Sequence, residues 1–326
     1  MNIVQPTPAT DAHLNPPSLP DVPKCRELAD LVSARMTEEG VFETDIPGLE
    51  VFRVDAPTPY MCTVYEPSLC VIAQGRKTVQ LGDREIMYGP LTYMVSSVDL
   101  PVSGRVVDAS PEHPFLAVKI NINLAEVAEL VMQLGDYAPP SERTECPYSG
   151  CGLCVAQVDL GILDAMTRLV GLLDSPSDAR ILAPLIQREI IYRALKGEMG
   201  PRMREFVSTD SQQNRISRVI SVLKDRFAEP LRVRELAEDV NMSESTLYHS
   251  FKQVTRMSPV QFQKKLRLHE ARRLMLSEGL EAATASYRVG YESPSHFSRE
   301  YSRMFGAPPR ADVIKLRGES YAPVPA

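Results

Sequence analysis

Hydrophobic positions change their spacing along this chain, and the changes mark its parts. From Gln212 onward the spacing is helical. In "NRISRVISVLKDRF", Ile216, Val219, Ile220, Leu223 and Phe227 fall at i, i+3, i+4, i+7 and i+11, the stripe of a helix that buries one face. Further helices are predicted over "VRELAEDV", "SESTLYHSFKQVT", "SPVQFQKKLRLHEARRLMLSE", "ATASYRVG" and "SPSHFSREYSRMF". Ser243, Ser258 and Ser293 stand where an N-cap hydroxyl belongs. Pro259 and Pro294 take the first helical position, and Gly306 supplies a left-handed stop.

Between about Phe42 and Ile122 the runs are shorter and rich in β-formers. "LEVFRVDA", "CTVYEP", "LCVIAQG", "RKTVQLGD", "LTYMVSS" and "FLAVKINI" are separated by Pro and Gly, the pattern of a small antiparallel barrel or sandwich. A helix over "KCRELADLVSARM" precedes it. Two follow, about Val158–Leu173 and Ala179–Gly197. Their apolar faces include Leu163, Met166 and Val170 on the first, and Ile181, Leu182, Leu185, Ile186 and Ile190 on the second. Faces this wide suit packing on the barrel, a dimer seam, or both. The prediction is an α+β chain in four parts: a Pro-rich disordered tail (1–22), a β-rich domain with a helix pair (23–200), a linker (201–212) and an all-α domain (213–326).

Composition changes this picture in one respect. The net charge of −6 divides unevenly: residues 201–326 hold 21 Lys and Arg against 15 Asp and Glu, and residues 1–200 hold 15 against 27. A basic final third on an acidic protein suggests a domain that meets a polyanion. No apolar run reaches membrane-span length, and the N-terminus lacks the basic start and apolar stretch of a secretory signal. A cytoplasmic protein with no membrane partner is expected. Its six Cys are then thiols, metal ligands or redox groups rather than structural disulfides.

The helical domain repeats itself. "NMSESTLYHSFKQVTRMSP" (Asn241–Pro259) aligns with "YESPSHFSREYSRMFGAPP" (Tyr291–Pro309) at an offset of 50, pairing Ser243 with Ser293, Leu247 with Phe297 and Phe251 with Tyr301. The helix before each aligns at 49, Ala237 with Ser286 and Val240 with Val289. Each copy is therefore a short helix, a tight turn and a capped second helix, the second turn being one residue longer. That is helix-turn-helix twice over. The second helix of such a unit enters the major groove N-terminus first. Side chains near that end reach base edges, while helix N-termini and cations hold phosphates. One chain with two readers can span successive major grooves, about 34 Å apart. Base-contact candidates are Glu244, Thr246, His249, Ser250 and Gln253 on the first reader and Ser295, His296, Arg299 and Arg303 on the second. Arg suits guanine and Gln suits adenine. Ser243, Ser245, Lys252, Lys264, Lys265, Arg267, Ser293 and Ser298 are phosphate candidates, with Arg272, Arg273 and Arg288 beside them.

These residues resemble the DNA-binding domain of AraC/XylS-family transcription regulators. "VGYESPSHFSREYSRMFGAPP" is similar to the family signature, with Gly290, Tyr291, Ser293, Phe297, Ser298, Arg299, Phe305, Gly306 and Pro309 on its expected positions. In the first unit Leu236, Ala237, Met242, Ser243, Leu247, Phe251, Lys252, Ser258 and Pro259 fit as well. His249 stands where the family often has Arg, and Ser286 where it often has Ala. "SLCVIAQGRKTVQLGD" and "LLDSPSDARILAPLIQREIIYRALKGEMG" are similar to the N-terminal domain of one subgroup. The resemblance implies a cupin-like β-barrel with a helix pair that senses a small-molecule effector and dimerises. It is followed by two helix-turn-helix units joined by a long helix. It also implies promoter DNA, RNA polymerase and a second copy of the chain as partners, and an activator's role.

Cysteine chemistry leaves several readings open. "ECPYSGCGLC" sets Cys146, Cys151 and Cys154 at C-x4-C-x2-C, a spacing that suits three ligands of an iron–sulfur site, a zinc site, a thiol switch, or inert thiols. Cys62 and Cys70 lie in predicted strands, as core or as reactive groups. Tyr88, Tyr93 and Met94 are pocket or core residues. Residues 24–200 hold a single histidine, His113, which argues against a metal-dependent cupin oxygenase. No nucleophile elbow, P-loop or dinucleotide fingerprint is present. The expectation is a regulator, not an enzyme, with no cofactor or bound metal. The alternatives are a redox-, electrophile- or metal-responsive regulator using the Cys146, Cys151 and Cys154 cluster, and a cysteine-based DNA-repair methyl acceptor, for which a "PCHR"-type motif is missing.

Overall fold

A computed structural model of the protein describes residues 23–135, 150–209 and 211–318. The expected tail and Cys146 lie outside the described residues. Helix α1 (Pro23–Arg35) leads into strands β1 (Gly40–Glu43), β2 (Leu49–Val54), β3 (Met61–Tyr65), β4 (Ser68–Gln74), β5 (Arg76–Leu81), β6 (Arg84–Tyr88), β7 (Thr92–Ser96), β8 (Leu100–Asp108) and β9 (Phe115–Asn121). After α2 (Leu124–Leu134) comes β10 (Leu153–Gln157), then α3 (Leu160–Gly171), a short 3-10 turn, and α4 (Pro176–Lys196).

The strands pair as a six-stranded sheet, β1-β2-β9-β4-β7-β10, and a four-stranded sheet, β3-β8-β5-β6, antiparallel throughout. The α+β class is as expected. Among the described residues the strands form two facing layers rather than one hydrogen-bonded ring. Side-chain alternation divides the larger sheet between two cores. Leu69, Val71 and Ala73 of β4 and Leu116, Val118 and Ile120 of β9 pack beneath α1 to α4. Cys70 and Ile72, with Phe115 and Ala117, face the smaller sheet. A sheet covered on both faces reads as continuous apolar runs, which is why "LCVIA" and "FLAV" were legible.

Four strands went unread. β8 contains Pro101 and Gly104, which mask its pattern, and β1, β6 and β10 are only four or five residues long. The stretch 201–212, expected as a linker, is largely helical: α5 (Gly200–Val207) buries Met203 and Phe206 and packs against α2 and α4.

The helical part runs α6 (Gln212–Asp225), α7 (Val233–Asp239), α8 (Glu244–Thr255), α9 (Pro259–Ser277), α10 (Ala282–Arg288), α11 (Pro294–Phe305) and α12 (Pro309–Gly318). Ser243, Ser258 and Ser293 cap α8, α9 and α11 as expected, and Ser258 with Gln261 completes a capping box. The repeat extends to the backbone. Met242 N–H bonds to Ala237 C=O and Tyr291 N–H to Ser286 C=O, both at 2.9 Å. The turn residues Asn241 and Gly290 are both left-handed, with φ of 52° and 85°. Asn tolerates that region. At Gly290 a Cβ would also overlap the Ala228 carbonyl, so only glycine fits.

Cohesion is divided unequally. The second unit has a core of its own, in which Leu268, Ala271, Phe297 and Tyr301 meet. Phe251, Val254 and Leu266 of the first unit instead join one cluster with Leu100, Val102 and Leu153 of the sheets.

Gly290→Ala should lower the unfolding free energy by at least about 2 kcal/mol, through left-handed strain and overlap together. Asn241→Gly should stay within about 1 kcal/mol. Urea melts of the two variants check this, and equal losses would show that the Ala228 contact is not tight.

Candidate nucleic-acid interface

Each reading helix is fixed by an apolar pair four residues apart. Leu247 and Phe251 of α8, and Phe297 and Tyr301 of α11, are wholly buried. Phe297 also meets the Tyr291 ring edge-on at 5.3 Å. Helical periodicity then turns the intervening positions outward. Glu244, Thr246 and His249 on α8, and Ser295, His296, Arg299 and Arg303 on α11, are all exposed. Ser243, Ser245, Lys252 and Ser293 are exposed beside them, and Ser298 is half-buried. Two residues leave the expected face. Ser250 is buried and donates to Thr246 C=O at 2.8 Å. Gln253 is half-buried and lies so close to Gly150 that a Cβ there would collide with it. Tyr248, on the same helix, is 39% exposed; an aromatic residue carries no sequence signal of base contact.

The cation candidates divide into outward and structural groups. Arg267 is structural: its guanidinium donates to the carbonyls of Phe227, Ala228, Glu229 and Gly290 at 2.7–3.2 Å, pinning the α6–α7 loop to the second turn. Burial lowers its pKa, as it does for the half-buried Lys265. Arg272 makes a two-pronged bond to Asp312 at 2.8 and 2.9 Å. Arg273 pairs with Glu270, and Arg288 with Glu278. Lys264 bonds Glu300 at 2.9 Å, and Glu300 also accepts from Tyr291 at 2.8 Å and lies 3.7 Å from His296. Burial opposes the charge on Glu300, but bonds from Lys264 and Tyr291 outweigh it and hold the carboxyl below its ordinary range. Sequence spacing gives a cation's position on a helix, but not the carbonyls a neighbouring loop brings to it.

The seam between the sheets and the helices is polar as well as apolar. Gly152 N–H donates to Val254 C=O at 2.9 Å, and Val98, Leu100 and Val254 close around Gly152. Lys224 of α6 bonds Asp99 at 2.6 Å and Glu66 at 2.9 Å. A cleft of about 620 Å³ opens along this seam, with Phe52, Lys119, Lys224, Leu266, His269 and Arg273 in its wall. The Nε2 of His269 is buried without a hydrogen-bond partner. Burial first, then Arg272 and Lys265, depress its pKa to about 3, so its ring is neutral.

The thiols are scattered. Cys151 is buried in the turn before β10 and Cys154 in β10 itself, the Cys154 thiol 3.6 Å from Cys151 C=O. Cys62 is half-buried at the seam, 3.2 Å from Ser103 Oγ and 3.6 Å from Met304 C=O. Cys70, Tyr88 and Met94 are buried between the sheets, and Tyr93 is buried beneath the helices. Among the described residues no group of three His, Cys, Asp or Glu side chains is placed to hold a metal ion. No helix among them is long and apolar enough to cross a membrane.

Comparison with known proteins agrees with this geometry. Residues 45–202 match the family model for the AraC-type transcriptional regulator N-terminus, and residues 236–312 match a helix-turn-helix domain. The HTH-type transcriptional activators RhaS of Salmonella typhimurium and Salmonella typhi are each 27% identical over 154 residues, covering 47% of this chain. The chain spans 55% of the length of those relatives. Among solved structures, unsaturated fatty acid bound ToxT from Vibrio cholerae strain SCE256 aligns with a TM-score of 0.53 at 11% identity, over 83% of this chain and 96% of that one. ToxT from Vibrio cholerae O395 aligns with a TM-score of 0.51 at 11% identity, over 83% and 98%. At such identity the likeness is one of fold.

Two arginines separate reading from holding. Arg299→Ala should relax preference at one base pair by about 1–3 kcal/mol and leave the melting temperature unchanged. Arg267→Ala should lower the melting temperature by several degrees, about 2 kcal/mol or more, without changing which base is preferred. Binding to a set of single-base variants and thermal melts of both proteins decide this; a specificity change from Arg267→Ala alone would reverse the assignment.

Proposed function

The chain belongs to the AraC/XylS family of transcription regulators, and we propose that it works as an effector-controlled activator whose single polypeptide reads two neighbouring major grooves. It is a DNA-binding regulator rather than an enzyme. In the proposed complex Glu244, Thr246 and His249 face one groove and Ser295, His296, Arg299 and Arg303 the next. Lys252, Ser243, Ser245, Ser293 and Ser298 hold phosphates, the first three serines beside helix N-termini and Ser298 one turn into α11. Lys264 joins them only by exchanging Glu300 for phosphate, and Gln253 only by leaving Gly150.

The observation that carries the control mechanism is the continuous core joining Leu100 and Leu153 of the sheets to Phe251 and Val254 of the first reading helix. A helix held in that way cannot reorient without disturbing the sheets. We place the effector in the seam cleft, whose wall mixes apolar Phe52 and Leu266 with Lys119, Lys224 and the unpartnered His269 Nε2. That lining suits a small amphipathic molecule. An occupant there changes how the sheets sit on α6 and α9, and so sets the angle between the readers. Residues 23–200 act as the sensing and dimerisation domain in this reading. Ile181 and Leu185 of α4 are 66% and 61% exposed, an apolar stripe that supports pairing with a second copy. RNA polymerase is the remaining partner an activator needs.

Binding to a cognate promoter should be roughly a thousandfold tighter than to random duplex. It should weaken steeply with salt, by roughly a thousandfold between 50 and 200 mM for about six phosphate contacts. Footprinting should show protection over about two helical turns. Equal affinity for promoter and random DNA at moderate salt would end this reading.

A further inference from the structure

Between the two sheets lies a group of side chains that DNA reading and the seam cleft leave unused. Lys77 of β5 is wholly buried. Alternation along β5 sends it inward with Val79 and Leu81, and it pairs across the ladder with Tyr88 of β6. Its Nζ lies 5.0 Å from the centre of the Tyr65 ring. Cys70 enters from the opposite sheet, near enough to Lys77 and Tyr88 to influence the ionisation of both. The hydroxyls of Tyr65 and Tyr88 are buried with no hydrogen-bond partner. The Cys70 thiol stands beside Tyr88, but it is a poor acceptor and completes no bond of normal geometry. Two unsatisfied phenols in one core are costly, and both belong to rings that neighbour the Lys77 amine, Tyr65 by its face and Tyr88 across the ladder.

Burial decides which nucleophile is available. It drives the Lys77 amine down to about 7; a charged Cys70 would oppose that, and Lys119 adds to it. Burial pushes the Cys70 thiol up to about 11, so Cys70 stays protonated at neutral pH. An ordinary lysine keeps only a few parts in ten thousand of its amine neutral at pH 7, roughly a thousandfold less than Lys77. Desolvated lysines of this kind add to carbonyl carbons.

We propose that Lys77, flanked by Tyr65 and Tyr88, is a covalent docking site for small aldehydes, held as a reversible imine. The amine lone pair bonds to the carbonyl carbon, and the C=O π pair moves to oxygen, which takes a proton from a phenol; the phenolate recovers a proton from the new ammonium nitrogen. The carbinolamine then loses the oxygen as water, its second proton coming from nitrogen, and C=N forms. Amine and aldehyde become imine and water, with no oxidant or reductant consumed. Lys77, Tyr65, Tyr88 and Cys70 are all buried, so uptake should favour short unbranched aldehydes over bulky ones. Lys119, which acts on the Lys77 amine, also lines the seam cleft, and this makes the cleft the side of entry. The site does not depend on the regulatory reading above.

Full-length protein incubated with propanal and cyanoborohydride at pH 7, then mapped by peptide mass spectrometry, tests the proposal. Lys77 should carry roughly ten times or more the N-propyl adduct of the exposed Lys196 and Lys252; the margin is smaller than the neutral-amine ratio because access is slower. Lys77→Met should lose that adduct and melt no lower than the parent, since it replaces a buried amine by an apolar chain. If that variant misfolds, the wild-type map still decides. Labelling of Lys77 at or below the level of Lys196 and Lys252 in folded protein would overturn the site, as would an adduct on Cys70 in its place.

Discussion

One apolar core crosses from the β-layers into the first helix-turn-helix unit, and the behaviour of the molecule follows from it. Leu100, Val102 and Leu153 share it with Phe251, Val254 and Leu266. Each fully buried side chain of this size contributes about 1.5–3 kcal/mol, so parting the two layers is a large perturbation. The backbone bond from Gly152 to Val254 adds direction rather than strength. It fixes α8 to the turn before β10, and Gly152 has no side chain to keep Val98, Leu100 and Val254 apart.

The second unit is built differently. Its core is separate, and it is tied to the rest through α9, through a contact of α11 with β3, where the Cys62 thiol lies 3.6 Å from Met304 C=O, and through Arg267. That guanidinium holds the carbonyls of the α6–α7 loop and of Gly290 together. The two units are thus related in sequence but unequal in attachment: α8 shares the core of the β-layers, while α11 keeps a core apart and meets the sheets only at its C-terminal end among the described residues.

Much of this was legible in the sequence because each signal had a local cause. Serine caps, Pro294 at the first helical position, Gly306 at the end and the inward pairs Leu247/Phe251 and Phe297/Tyr301 depend on neighbours a few residues away, and all are found as expected. What was not legible depends on distant chain. Arg267 looked like a phosphate ligand, since nothing near it announces the carbonyls of residues 227–229. Ser250 and Gln253 looked exposed because a helix alone does not show what covers it. Lys77 passed unremarked in "GRKTVQLGD": a lysine in a strand is ordinarily a surface residue, and only the second sheet encloses it.

The unequal attachment of the two readers is tested most directly by hydrogen exchange on full-length protein carrying Leu100→Ala. This substitution cuts the shared core on the sheet side, at a cost of about 2–5 kcal/mol. Amides of β8 and of α8 should lose protection together, while those of α11 keep theirs. If α8 stayed as protected as in the parent, or if α8 and α11 opened in step, the first helix-turn-helix unit would not share the core of the β-layers.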